Sequence, residues 1–182
     1  MRSRALIIAA ASAAAATAAT AQTPTPTAPA PAPATPTLSR NGLGPVTIGM
    51  TLAQAQRASG IRFRAPTGDV PSCRYAISRD PRLGLALMVA RQNRVVRLDL
   101  MRPRYATAKG IRVGSTQKAV VTAYPTAVVT RHKYLARGKE IWVGARPMAR
   151  TGRAMVFETN GARVTNIRAG KLPQVGYVEG CS

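Results

Sequence analysis

The chain has 182 residues, with 27 Lys and Arg against 6 Asp and Glu and a formal net charge of +21. One His and two Cys leave no set of zinc ligands to propose, and six acids leave little material for carboxylate catalysis. An excess of this sign repels cations and favours polyanions or anionic surfaces.

Arg2 and Arg4 form a basic leader, Ala5 to Ala16 an apolar run, and Ala19-Thr20-Ala21 a small-residue cleavage site. This is the pattern of a cleaved export signal over 1–21. The apolar run is well short of the roughly 20 residues a spanning helix needs. Without Arg2 and Arg4, 25 basic residues remain against 6 acids, and the mature chain carries +19. Residues 22–40 are dominated by Thr, Pro and Ala, a composition that favours an extended spacer.

The remainder divides into two stretches, 41–105 and 106–182. Val46-Thr47-Ile48-Gly49-Met50-Thr51 returns as Ile111-Arg112-Val113-Gly114-Ser115-Thr116, 65 positions later. Each copy reads apolar, polar, apolar, Gly, a small or flexible residue, Thr, which is the mark of an internal repeat. In the first copy Thr51 is placed as an N-cap with Gln54 completing a capping box. Leu52, Ala55 and Ala58 then form a short apolar stripe, and Gly60 is the stop. Ile61 to Arg64 alternates apolar and basic, Cys73 to Ser78 reads as a strand, and Leu83 to Ala90 as a buried central strand. Arg94 to Leu100 is expected to place Val96, Leu98 and Leu100 on one face and Val95, Arg97 and Asp99 on the other.

In the second copy a helix capped by Ser115 or Thr116 is expected to run to Tyr124, where Pro125 forbids continuation. Val128 to Thr130, Lys133 to Ala136 and Glu140 to Gly144 are candidate strands. Arg153 to Glu158 and Arg163 to Ile167 flank Thr159-Asn160-Gly161, a hairpin signal. The ends of the two copies correspond at an offset of 68 to 69. Their expected fold class is α+β, with two tandem repeats, each a short helix layer packed on a small antiparallel sheet.

A Gly-Met-Thr or Gly-Ser-Thr helix start followed by several strands and a terminal hairpin, in tandem in an exported chain, resembles the β-lactamase inhibitor protein-like superfamily. Small outer-membrane assembly lipoproteins of the SmpA/OmlA type are similar in fold. The resemblance covers about residues 42 to 172 and implies helices on antiparallel sheet, with a curved protein-binding surface. None of the inhibitor contact residues forms a motif here, and no lipidation Cys stands at the cleavage site.

Among the residues themselves, Cys73 and Cys181 are read as a disulfide, because the chain is bound for an oxidising compartment. Asp69, Asp80, Asp99, Glu140, Glu158 and Glu179 read as salt-bridge partners rather than catalytic acids. His132 reads as part of a solvated basic loop. No dinucleotide fingerprint or P-loop is present, so no cofactor is expected. The paired bases Arg62 and Arg64, Arg102 and Arg104, Arg131 and Lys133, Arg137 and Lys139 are candidate anion-binding residues. Scattered aromatics argue against sequence-specific nucleic-acid recognition. Trp142 is either core or an interface anchor. The expectation is therefore a non-catalytic binding module, periplasmic or secreted, that engages another envelope or secreted protein. The alternative is an electrostatic binder of an anionic envelope polymer or membrane surface.

Overall fold

The computed structural model describes residues 35–70 and 73–181. The stretch read as an export signal and most of the stretch read as a spacer lie outside them. In order, the described residues form β1 (Thr37–Ser39), β2 (Gly42–Leu43), β3 (Val46–Thr47), α1 (Leu52–Ser59), β4 (Thr67–Val70), β5 (Cys73–Ile77), β6 (Leu85–Val89) and β7 (Val95–Leu100). After these come β8 (Ala106–Thr107), α2 (Gln117–Ala123), β9 (Val128–Arg131), β10 (Lys139–Gly144), β11 (Arg153–Thr159) and β12 (Val164–Lys171). The fold takes in Thr37–Ser39, at the end of the stretch read as spacer. There Leu38 is buried, and β1 pairs in parallel with β8.

The expected fold class is corrected. Instead of two small sheets under a helical layer, the chain is mostly β, built on one eight-stranded antiparallel sheet in the order β4-β5-β6-β7-β12-β11-β10-β9. The strands β3-β2-β1-β8 form a second, four-stranded sheet. The large sheet exists because β7 and β12 pair with each other, Leu100 opposite Ile167 and Leu98 opposite Ala169. This pairing supplies partners for backbone groups that two separate small sheets would leave exposed along an apolar strand. The helices, of 8 and 7 residues, are too short to form a layer.

The strand order runs outward from the central pair in the same way on each side, β7-β6-β5-β4 and β12-β11-β10-β9, which makes two quartets. Matching contacts hold each helix start against the last strand of its own quartet. Gly49 N–H donates to Val95 O and Val95 N–H to Met50 O, both at 2.8 Å; Gly114 N–H donates to Val164 O at 2.8 Å and Val164 N–H to Ser115 O at 2.9 Å. Arg94 donates to Gly49 O at 2.9 Å and Arg163 to Gly114 O at 2.8 Å. Thr51 caps α1 in a complete capping box with Gln54, Gly60 ends it in the left-handed conformation, and Thr116 caps α2.

One face of the large sheet shares a single apolar core with both helices and the small sheet. Ala76, Leu87, Leu98, Phe157 and Ile167 meet Ala55, Val120, Leu38 and Leu43 there. A register shift between Met88 and Val89 corrects the expected facing of β7. It sends Val95 to the helix side with Leu98 and Leu100, while Val96 joins Met88 and Cys73 on the other side. A second correction concerns Lys133 to Ala136, which form the turn between β9 and β10 rather than a strand. The Asn-Gly signal marks a true turn, but with four residues between β11 and β12. Asn160 Oδ1 accepts from the N–H groups of Ala162 and Arg163.

Candidate functional site

The face of the large sheet turned away from the helices carries charge in its interior. After β12 the chain passes through Leu172 and a 3-10 turn at Gln174–Gly176 and lies across this face as a strap. Cys73 on β5 and Cys181 form a disulfide across 108 positions, chemistry that belongs to an oxidising compartment. It joins the end of the strap to the first quartet.

Two buried arginines hold the middle of the strap. Arg97 on β7 forks onto Asp99, with Nε 3.0 and 3.1 Å from the two carboxylate oxygens, and donates through Nη1 to Gln174 O at 2.9 Å and Tyr177 O at 2.6 Å. Its Nη2 reaches Tyr75 Oη at 2.9 Å. Arg168 on β12, fully buried, places Nη2 2.6 Å from Glu140 and Nη1 3.0 Å from both Glu158 and Tyr177 O. Both guanidinium groups therefore converge on the Tyr177 carbonyl. Burial drives the Tyr75 phenol up to about 12, and the neighbouring Asp99 charge adds to the effect. Burial works to lower Arg97, but Asp99 outweighs it and the net direction is upward.

This network was hidden from residue patterning. Arg97 and Asp99 lie at alternate positions of β7, as a solvated face would have them, yet every residue of the strand is buried. The available signal was a single Arg between Ile167 and Ala169, both apolar. His132 is also corrected. Its side chain is 8% exposed, its Nδ1 accepts from the N–H groups of Tyr134 and Leu135, and its Nε2 faces Glu158 at 3.8 Å.

The candidate anion-binding residues lie along one end of the large sheet. Arg62 and Arg64 flank Phe63, which bridges to Ser78, and Arg79 N–H donates to Arg62 O at 2.9 Å. Arg102 and Arg104 follow β7 and, with Arg82, Pro81 and Pro103, line a cleft of about 480 Å³. At the same end, by strand register, stands the β9–β10 turn. Arg131 sits directly opposite Lys139, and Arg137 is exposed. Lys133 is drawn away to Glu179 at 2.6 Å. Asp80, the acid at the first corner, is held below the ordinary carboxylate range by the hydrogen bond from Arg82.

Trp142 is buried and packs with Val156, Leu172 and Val175 in a second apolar cluster beneath the strap. A groove of about 540 Å³ opens beside the strap at the first quartet, between Tyr75, Ile77, Met101 and Asn166. Among the described residues, no group of three or more His, Cys, Asp or Glu is placed to hold a metal.

No family model matches this chain, and no curated protein does. It is similar to an extracellular protein containing an SCP domain from Bacillus anthracis, with 9% identity and a TM-score of 0.44, over 66% of this chain and 43% of that one. The present chain thus spans less than half of that protein's length. It is similar also to the uncharacterized protein yfeY of Escherichia coli, with 12% identity and a TM-score of 0.47, over 74% of this chain and 99% of that one.

Proposed function

We propose that this is an exported, non-catalytic binding protein of two tandem repeats, periplasmic or secreted, whose exposed cations take an anionic envelope polymer or membrane surface. The observation that carries this reading is where the acids have gone. Asp80 pairs with Arg82, Asp99 with Arg97, Glu140 and Glu158 with Arg168, and Glu179 with Lys133. Three of these five carboxylates lie inside the sheet face, where they offset two buried arginines. At the surface Asp80 and Glu179 are each ion-paired, and arginines and lysines make up most of the remaining charge facing solvent. Arg131 opposite Lys139 is a like-charge cross-strand pair, which costs stability unless an anion bridges it.

The test is binding to polyphosphate, and in parallel to vesicles of anionic or of zwitterionic lipid, across a salt series. Affinity for the anionic ligands is expected to fall steeply with salt. Changing Arg62, Arg64, Arg102 and Arg104 together to Gln should flatten the logarithmic slope by about 3, at roughly 0.7 per lost phosphate contact. An affinity unchanged between about 50 and 200 mM salt would refute the reading.

A second reading, capture of another exported protein on the sheet, is favoured by the groove beside the strap. Ile77 and Met101 there are each 47% exposed. A discrete protein retained by the purified domain through a high-salt wash, and lost on Ile77→Lys, would support this reading over the electrostatic one.

A further inference from the structure

The end of the large sheet that carries the basic residues also displays apolar side chains. Ile77 closes β5 ahead of Arg79 and Arg82, and Met101 follows β7 ahead of Arg102 and Arg104. Tyr134 and Leu135 form the tip of the β9–β10 turn, between Arg131 and Arg137. In that order the four are 47%, 47%, 56% and 43% exposed. Exposed apolar residues scattered singly are ordinary, but these stand at one end of one sheet, each close in sequence to exposed arginines. At about 4.8 Å per strand, the steps from β5 to β10 spread this rim over about 24 Å.

The β9–β10 turn holds its tip outward. His132 Nδ1 accepts from the N–H groups of Tyr134 at 3.1 Å and Leu135 at 3.2 Å, and Gly138 N–H closes onto Leu135 O at 2.8 Å. Both exposed side chains are thus presented by main-chain donors that are already satisfied, so the tip can leave water without stranding an N–H. Lys133 Nζ lies 5.0 Å from the centre of the Tyr134 ring. Asp80 and Glu179, the acids beside these turns, are ion-paired with Arg82 and Lys133 and leave the neighbouring arginines to meet an outside anion.

We propose that this rim docks onto the surface of an anionic lipid bilayer, with Tyr134 and Leu135 set into the interface and the arginines among the headgroups. Docking of this kind rests on the polyanion reading and narrows it to one ligand. A soluble polyphosphate uses the cations alone. The apolar tips gain free energy only against a surface with a less polar interior, where apolar burial and attraction to anionic headgroups act together.

The test uses the chain from Gln22 onward, which holds every described residue and omits the apolar run of 5–16. Its ligands are vesicles of phosphatidylglycerol mixed with phosphatidylcholine, and polyphosphate as the soluble control. Tyr134→Ser combined with Leu135→Ser is expected to weaken vesicle partitioning about tenfold, from partial burial of two apolar side chains. Polyphosphate affinity should stay unchanged, which also shows the variant to be folded. Tyr134→Trp alone places a fluorophore at the tip, and lipids brominated on the acyl chain should quench it. The parent should show no quenching, because its single tryptophan, Trp142, is 5% exposed. A double variant that partitions like the parent, or a vesicle-bound Tyr134→Trp protein that is not quenched, overturns the proposal. Binding to polyphosphate without binding to vesicles also overturns it and leaves the polyanion reading standing, whereas binding to neither removes both.

Discussion

Replacing Arg168 by Met asks whether the charged interior of the sheet is held by that one guanidinium. The side chain is fully buried and serves Glu140 at 2.6 Å, Glu158 at 3.0 Å and the Tyr177 carbonyl at 3.0 Å. Without it, Glu140, 8% exposed, loses its guanidinium partner in a poorly solvated place. The Tyr177 carbonyl still has Arg97, so its share of the loss is small. Removing one partner of a buried ion pair costs about 3–5 kcal/mol, a third or more of the roughly 5–15 kcal/mol that stabilises a typical domain. At a urea sensitivity of about 2 kcal/mol per molar, the unfolding midpoint should fall by about 2 M. Trp142 fluorescence can follow the transition with the disulfide intact. A companion carrying Arg168→Met, Glu140→Leu and Glu158→Leu replaces charge by apolar volume and should recover to within about 1–2 kcal/mol of the parent. A single variant that loses less than about 1 kcal/mol, or a triple variant no more stable than the single, would refute the reasoning.

Replacing Cys73 and Cys181 together by Ser opens a loop of 108 positions and should lower unfolding free energy by about 4–5 kcal/mol on the chain-entropy account; an unchanged urea midpoint would contradict it. Tyr75 makes a pH prediction. Its folded pKa is raised from 10.0 to about 12, so the folded state holds the phenolic proton longer. The resulting stability is complete below pH 10 and drains away as pH rises toward 12. The full displacement corresponds to at most about 2.7 kcal/mol, and partial exposure reduces it to about 1 kcal/mol. Tyr75→Phe should therefore lose less stability than the parent across that alkaline window, as read from thermal midpoints. Thr51→Ala and Thr116→Ala should each cost about 1 kcal/mol through loss of a helix cap. The two changes should add, since each cap serves a different helix.

The local signals in the chain were legible wherever backbone chemistry alone decides the outcome. Thr51, Gln54 and Gly60 act as cap, box and stop because those roles need only a side-chain oxygen, an amide and a residue free of Cβ. The apolar run around Leu85–Val89 is buried throughout, as its composition required. What patterning could not supply was the pairing of β7 with β12. Any apolar strand edge is a possible partner for any other, so an eight-stranded sheet and two four-stranded ones share the same local sequence. The inner charge network followed from that missing step. Arg97 and Asp99 look like solvated positions until a covering strap and a neighbouring Arg168 are known to be there. Lys133 to Ala136 failed for a related reason. Their β-compatible residues lie where the chain must reverse between β9 and β10, and Gly138 N–H closes onto Leu135 O at 2.8 Å. Of the basic pairs, the sequence could mark the charge but not that Lys133 would be claimed by Glu179.

The central pairing of β7 with β12 has a consequence for how such a molecule is put together. Either quartet alone would end in a fully or largely buried strand with an open edge, the kind of surface that recruits another copy of itself. Here the partner edge is supplied in the same chain, and the two edges consume each other. A contact that could otherwise join two molecules is made within one chain and is therefore independent of concentration. The two halves then carry different surfaces on one continuous sheet, one an arginine-lined cleft and a groove beside the strap, the other an apolar pocket under the strap.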